Sequence, residues 1–193
     1  ACAETDTILS LHVGSAGPSA QPPGAPRLEL GSTMFQAEAF TTCAQWLWSG
    51  WPARYPDLQI TLSEGGIGWI PYLLERADFT HNHHHAWTHS NFGDKKPSDI
   101  FNEHIITCFI EDAFGLKNLD SINVDMACWE CDYPHSDSTW PYSPEALLSE
   151  LDGAGCSDEE IDMISWKNVA NFFDYDPFQH IKKEDATVGA LRA

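Results

Sequence analysis

Basic residues are scarce in this chain. Ten Lys and Arg stand against 29 Asp and Glu, a formal net charge of −19. A surface of that sign repels phosphate backbones and anionic headgroups, so neither nucleic acid nor a membrane surface is an expected partner. A small substrate stays open, because a pocket carries its own local field. Long apolar runs are missing as well: no stretch of about twenty apolar residues exists, so no membrane span is expected. No secretory leader is recognisable either. A dense disulfide framework is lacking, since Cys2, Cys43, Cys108, Cys128, Cys131 and Cys156 are scattered through apolar or helical contexts. That pattern fits free thiols in a reducing cytoplasm, the expected compartment. Cys128 and Cys131 do form a C-x-x-C. A redox motif of that type opens a helix, whereas this one closes an expected strand, so a thiol oxidoreductase ranks last among the functions considered. The chain also has no initiator Met and starts just ahead of an apolar strand-like run, which reads as a piece cut from something longer.

What is present describes a globular α/β domain. The 193 residues are 42% hydrophobic, with eight Trp and ten Phe, enough for one sizeable core. Short apolar, β-prone runs predict strands over 8–13, 58–63, 104–110 and 124–130. Helical spacing and start signals predict a helix over about 33–49, capped by Ser32, and others over 67–89, 97–103 and 114–121. Two more are predicted to start at Ser143-Pro144-Glu145 and at the capping box Ser157–Glu160, the latter running to about 173. The Gly/Pro-rich stretch 14–26 is longer than an ordinary connection and is expected to be an active-site loop. Past Pro177 the chain thins into a polar tail, giving an expected division into 1–176 and 177–193. Strands alternating with helices predict a parallel sheet.

The stretch that organises the rest is 124–142, VDMACWECDYPHSDSTWPY. Its apolar run must stop as a strand by about Asp132, because Pro134 cannot donate to a central ladder. An acidic residue at the last position of a buried strand, followed by a polar loop, is where α/β folds place chemistry, although a capping role for Asp132 reads equally simply. His12 and Glu64 end the first and second strands in the same way. His81, His83, His84, His85 and His89 form a separate tract on a predicted helix. His81 and His85 share one face there, as do His85 and His89, yet no Cys or carboxylate pattern completes a metal site.

Asp132-Tyr133-Pro134-His135 after an apolar strand resembles the eighth-strand motif of the amidohydrolase superfamily. The branch is amidohydrolase-2, with its aminocarboxymuconate-semialdehyde decarboxylase-like enzymes. The wider CDYPHSDSTWP, together with LSEGGIGWIPYLLERAD at 62–78, is similar to one subgroup, and the likeness runs from about 9 to 173. The resemblance implies a (β/α)8 TIM barrel of the metal-dependent hydrolase type, of which this chain supplies strands five to eight. It implies one divalent metal, zinc or alternatively manganese, with His12 and Asp132 as ligands. The family's strand-one ligand pair has no counterpart here. Where the family's sixth strand commonly ends in His, this chain has Glu64, a carboxylate suited to moving protons. His135 and Trp140 are expected to bind substrate, with Asp137 and Ser138 nearby.

The function implied is a metal-dependent enzyme, hydrolase or non-oxidative decarboxylase, acting on a small organic acid or related carbonyl compound, with the isolated fragment inactive. A catalytically incomplete barrel serving as a binding or assembly module is the alternative. Expected partners are the missing half of the barrel or a partner subunit, with homo-oligomerisation open.

Overall fold

Four short strands form a parallel sheet in chain order: β1 (Leu9–His12), β2 (Ile60–Ser63), β3 (Ile105–Phe109) and β4 (Ala127–Trp129). The computed structural model describes residues 1–14 and 21–192, and of Pro52 only the backbone. Residues 15–20, the middle of the expected loop over 14–26, lie outside the described residues. Register pairs Leu9 with Ile60, Ile60 with Ile105, and Thr107 with Ala127. All four strands therefore end on the same side, and His12 lies opposite Ser63.

The period-two alternation of strands sorts the sheet into two faces. One face carries Leu9, Leu11, Ile60, Leu62, Ile105, Phe109, Ala127 and Trp129, all within the main core. The helices cover this face. They are α1 (Arg27–Trp48), α2 (Trp51–Arg54), α3 (Ile70–Thr88), α4 (Pro97–His104), α5 (Ala113–Leu116), α6 (Ser143–Ala154) and α7 (Asp158–Asp162), while α8 (Asn168–Phe172) turns Phe172 toward the other face. Cys43 and Leu47 of α1, Ile70 and Leu73 of α3, Phe101 of α4 and Leu147 and Leu151 of α6 supply the opposing side chains. The other face carries Ile106, Cys108 and Cys128, against which Phe172 packs.

Several boundaries differ from expectation for identifiable reasons. Helix α1 begins at Arg27, not after Ser32; its first turns carry no apolar stripe, and Leu28 is exposed, so periodicity gives no sign of them. Helix α3 starts at Ile70, later than 67, because the Asp112 carboxylate accepts hydrogen bonds from the N–H groups of Ile67 and Gly68, both 2.8 Å. The last strand is only Ala127–Trp129, since Val124–Met126 form a 3₁₀ turn behind Asn123, whose side chain accepts from the Asp125 N–H. Apolar residues alone do not separate such a turn from a strand. Ser143 lies inside α6, which is preceded by Tyr142, and does not cap it.

The Ser157–Glu160 capping box does start α7. A π-helical segment, Met163–Lys167, then joins α7 to α8. The expected polar tail contains a further helix, α9 (Val188–Arg192), whose Arg192 is ion-paired with Glu145 of α6. No helix among the described residues is long and apolar enough to cross a membrane.

Candidate metal centre

The carboxyl ends of β1, β2 and β4 bring together His12, Glu64, Asp132 and His135. His135 Nδ1 lies 2.6 Å from Asp132 Oδ2 and 3.1 Å from Glu64 Oε1. On the other side of Glu64, His12 Nε2 is 3.3 Å from Oε2. Glu64, Asp132 and His135 each offer a ligand atom within 4.8 Å of the others. All four are named from the sequence, Asp132 by its position at a strand end and His12, Glu64 and His135 in roles the resemblance implies. The fourth, His135, reaches the cluster through the turn after Asp132, where its own N–H donates to the Asp132 carbonyl at 2.9 Å.

Local backbone geometry aims the two carboxylates. Glu64 and Asp132 both adopt left-handed conformations, φ 56° and 52°. Such conformations cost of order 1–3 kcal/mol for residues with a Cβ and persist only where neighbours impose them. At Glu64 the neighbour is Glu130, whose Oε1 accepts the Glu64 N–H at 2.7 Å. The second oxygen of Glu130 accepts from the Cys108 thiol at 2.9 Å. Sequence reading passed over Glu130; its place two residues before Asp132, on the face shared with Cys128, was the available signal.

Electrostatics follow from these contacts. Burial, then the Asp132 carboxyl beside it, raises the Glu64 carboxyl above the ordinary carboxylate range, while His135 and His12 oppose that rise. Hydrogen bonds to Glu64 and Asp132 hold the His135 imidazole above its ordinary value. Burial raises Glu130, with the Cys108 thiol and the Glu64 N–H acting against it.

The donor set suits a divalent cation. Carboxylates and imidazole are appropriate ligands for zinc or manganese. The His12 Nδ1 lies 2.7 Å from the Val13 carbonyl, which can only accept, so Nδ1 carries the proton and Nε2 keeps its lone pair for a metal.

Other expected site residues fall outside this cluster. The Trp140 side chain is 58% exposed and stands against Tyr133 with ring centroids 5.3 Å apart. Ser138 donates to the Cys131 carbonyl at 2.7 Å and so shapes the loop. Cys128 is buried in β4 and Cys131 is half-buried beyond it, both free. Hydrogen bonds from Ser143 and Ser138 lower the Cys131 thiol.

Comparison with known proteins gives this geometry a context. The amidohydrolase family, Amidohydro_2, matches residues 1–175. Among solved structures, 5-carboxyvanillate decarboxylase from Sphingomonas paucimobilis is similar with a TM-score of 0.66 and 20% identity, covering 90% of this chain and 51% of that one. A dihydroxybenzoic acid decarboxylase from Polaromonas sp. JS666, holding manganese and the inhibitor 2-nitroresorcinol, is similar with a TM-score of 0.62 and 22% identity, covering 90% and 51%. A 5-carboxyvanillate decarboxylase from Novosphingobium aromaticivorans, also with manganese, has a TM-score of 0.65 and 20% identity, covering 90% and 49%. This chain thus spans about half the length of the solved structures it matches, and its four parallel strands alternating with helices correspond to half of their barrel. No curated protein matches it.

Proposed function

The chain belongs to the amidohydrolase family, and from that premise we propose that its strand ends form part of a divalent-metal centre acting on a small organic acid. The observation that carries the reading is the convergence of Glu64, Asp132 and His135 within 4.8 Å, with His12 Nε2 against Glu64. His12 and Asp132 would hold the metal, which supplies Lewis-acid polarisation of a substrate carbonyl or carboxylate when bound. The manganese in two similar structures favours manganese over the zinc expected from the resemblance.

The remaining residues divide the work. Glu64, with its carboxyl raised by burial and by Asp132, is suited to hold a proton and deliver it to the reacting carbon or leaving group. His135, hydrogen-bonded to both carboxylates, fixes their relative orientation, and its 61% exposed side chain stands open to a substrate acid. Trp140 and Tyr133 form an aromatic rim suited to a planar substrate. Non-oxidative decarboxylation of a hydroxylated aromatic acid is the favoured reaction, because the similar structures named above are decarboxylases of such acids. Hydrolysis is the second choice. The division into a barrel half over 1–176 and a tail over 177–193 belongs to the same proposal.

A barrel-derived binding or assembly module is favoured by a different observation, the edge position of β1 and the half-length match. Metal titration separates the two. Isothermal titration of the chain with MnCl2 should give one ion per chain, and Asp132→Asn should weaken it by about 10–100-fold. Equal binding in both proteins would remove the metal centre and leave the module. Carbon dioxide release from a panel of hydroxybenzoic acids, assayed with the complete barrel, then tests the reaction.

A further inference from the structure

The histidine tract on α3 is not absorbed by the mouth of the sheet, and its members are not equivalent. His83 directs Nδ1 to the Phe79 carbonyl at 2.8 Å and stacks on the Phe79 ring, centroids 3.9 Å apart. His84 lies edge-on to Trp87. His89 follows the helix with φ 57° and so leaves the helical face. His81 and His85 face each other, with ring centroids 4.9 Å apart and planes 32° from parallel, closer than the 6.3 Å between His83 and His84.

Both rings of that pair are anchored through Nδ1. His85 Nδ1 lies 2.9 Å from the His81 carbonyl, an acceptor only, so Nδ1 carries the proton and Nε2 keeps a lone pair. His81 Nδ1 lies 3.3 Å from Ser90 Oγ. The His81 ring is further held edge-on by Phe92, centroids 5.2 Å apart at 88°, and by Trp48 at 6.5 Å. Burial, and the His85 charge beside it, lower the His81 imidazole, which favours the neutral form a metal requires. Two imidazoles bound at about 2.0–2.1 Å to one tetrahedral ion have ring centroids roughly 5 Å apart, close to the separation seen here.

We propose that His81 and His85 form a second metal site, chelating a copper, nickel or zinc ion through their two Nε2 atoms, with water completing the shell. The i, i+4 spacing puts both ligands on one helix face, and the surrounding rings fix one of them in advance. An all-imidazole protein donor set selects these ions over manganese, magnesium and calcium, which prefer oxygen. The mouth, with its carboxylates, also accepts manganese, which the imidazole pair disfavours, so manganese reports on the mouth alone and Asp132→Asn removes the mouth's share of nickel. This inference does not depend on the function proposed for the mouth.

Titration of the full chain with NiCl2 and, separately, MnCl2 tests the site. Four proteins are compared: wild type, Asp132→Asn, His85→Gln and His83→Gln. Asp132→Asn should retain the nickel ion held by the histidine pair while manganese binding weakens by about 10–100-fold. His85→Gln should raise the nickel Kd by about tenfold or more, because one arm of the chelate is lost. Since His85 is exposed, that substitution disturbs no packing. His83→Gln should leave nickel binding as it was. Unchanged nickel affinity in His85→Gln, or an equal loss in His83→Gln, would overturn the proposal in favour of diffuse binding along the tract. Loss of manganese binding alone, with nickel intact, bears only on the mouth.

Discussion

Glu130 illustrates how much one side chain can decide. It accepts the N–H of Glu64 and the thiol of Cys108, linking three strands' ends through one carboxylate. Glu130→Ala should leave the Glu64 N–H without its acceptor, leave the Cys108 thiol only the Leu62 carbonyl at 3.5 Å, and release Glu64 from its left-handed turn. A loss of about 1–3 kcal/mol in urea unfolding is expected, with manganese affinity reduced about tenfold. Glu130→Gln, which keeps an acceptor oxygen, should recover much of the stability. His104 gives a prediction in pH. Burial lowers its imidazole in the folded protein, and its ring is packed edge-on to Trp51. A depressed folded value means that the unfolded chain binds more protons over the window just below about 6.5, so stability there rises with pH and is lost as pH falls. His104→Gln should flatten that part of the stability profile, measured as the difference from wild type in urea midpoints between pH 7 and 5.

Elements are held by contacts that link distant parts of the chain. Asn168 of α8 donates to the carbonyls of Val124 and Ala127, at 2.6 and 2.8 Å, securing the start of β4. Asn168→Leu should cost about 1–3 kcal/mol by removing both bonds, the Val124 carbonyl keeping only the Ala127 N–H, measured by thermal melting. Gly115 sits where a Cβ would meet Ile67 Cγ1 and lie 2.9 Å from the Gly68 backbone nitrogen. Gly115→Ala should destabilise by about 1–3 kcal/mol, through displacement of the turn that Asp112 ties together.

This is also the scale at which sequence reading succeeded and failed. All four strands were legible, because buried parallel strands are short apolar runs ended by polar residues. The turn at Val124–Met126 and the first turns of α1 were not, since neither carries a periodicity that marks it. At the site, Asp132 was legible from its position at a strand end, while His12 and Glu64 came forward through the family resemblance. Glu130 was hidden because its work is done through a backbone N–H 66 residues away. Trp140 was named from its place in the motif that resembles the family, and its ring stands against Tyr133.

At the scale of the whole molecule, charge is the dominant asymmetry. A net charge of −19 imposes self-repulsion on the folded state, which salt screens over a Debye length of about 30 Å at 0.01 M and 10 Å at 0.1 M. The thermal midpoint should therefore rise by a few degrees, roughly 2–4 °C, between 0.01 and 0.15 M KCl. An unchanged or falling midpoint would mean that local ion pairs such as Lys167–Asp162 outweigh the global field. A chain so acidic also draws cations toward it and leaves side-chain chemistry to choose among them.

The sheet's spatial order, β1 to β4, is also its chain order. Each strand can thus settle on a neighbour already made as the polypeptide leaves the ribosome, with no gap held open for a later arrival. The side-chain cluster at the strand ends has no such luxury. His12 and Glu64 are synthesised well before Asp132 and His135, so the two early residues have only each other until the last strand and its turn emerge. Synthesis halted between β3 and β4 would leave a growing sheet without its chemistry: the scaffold is built progressively, the centre all at once.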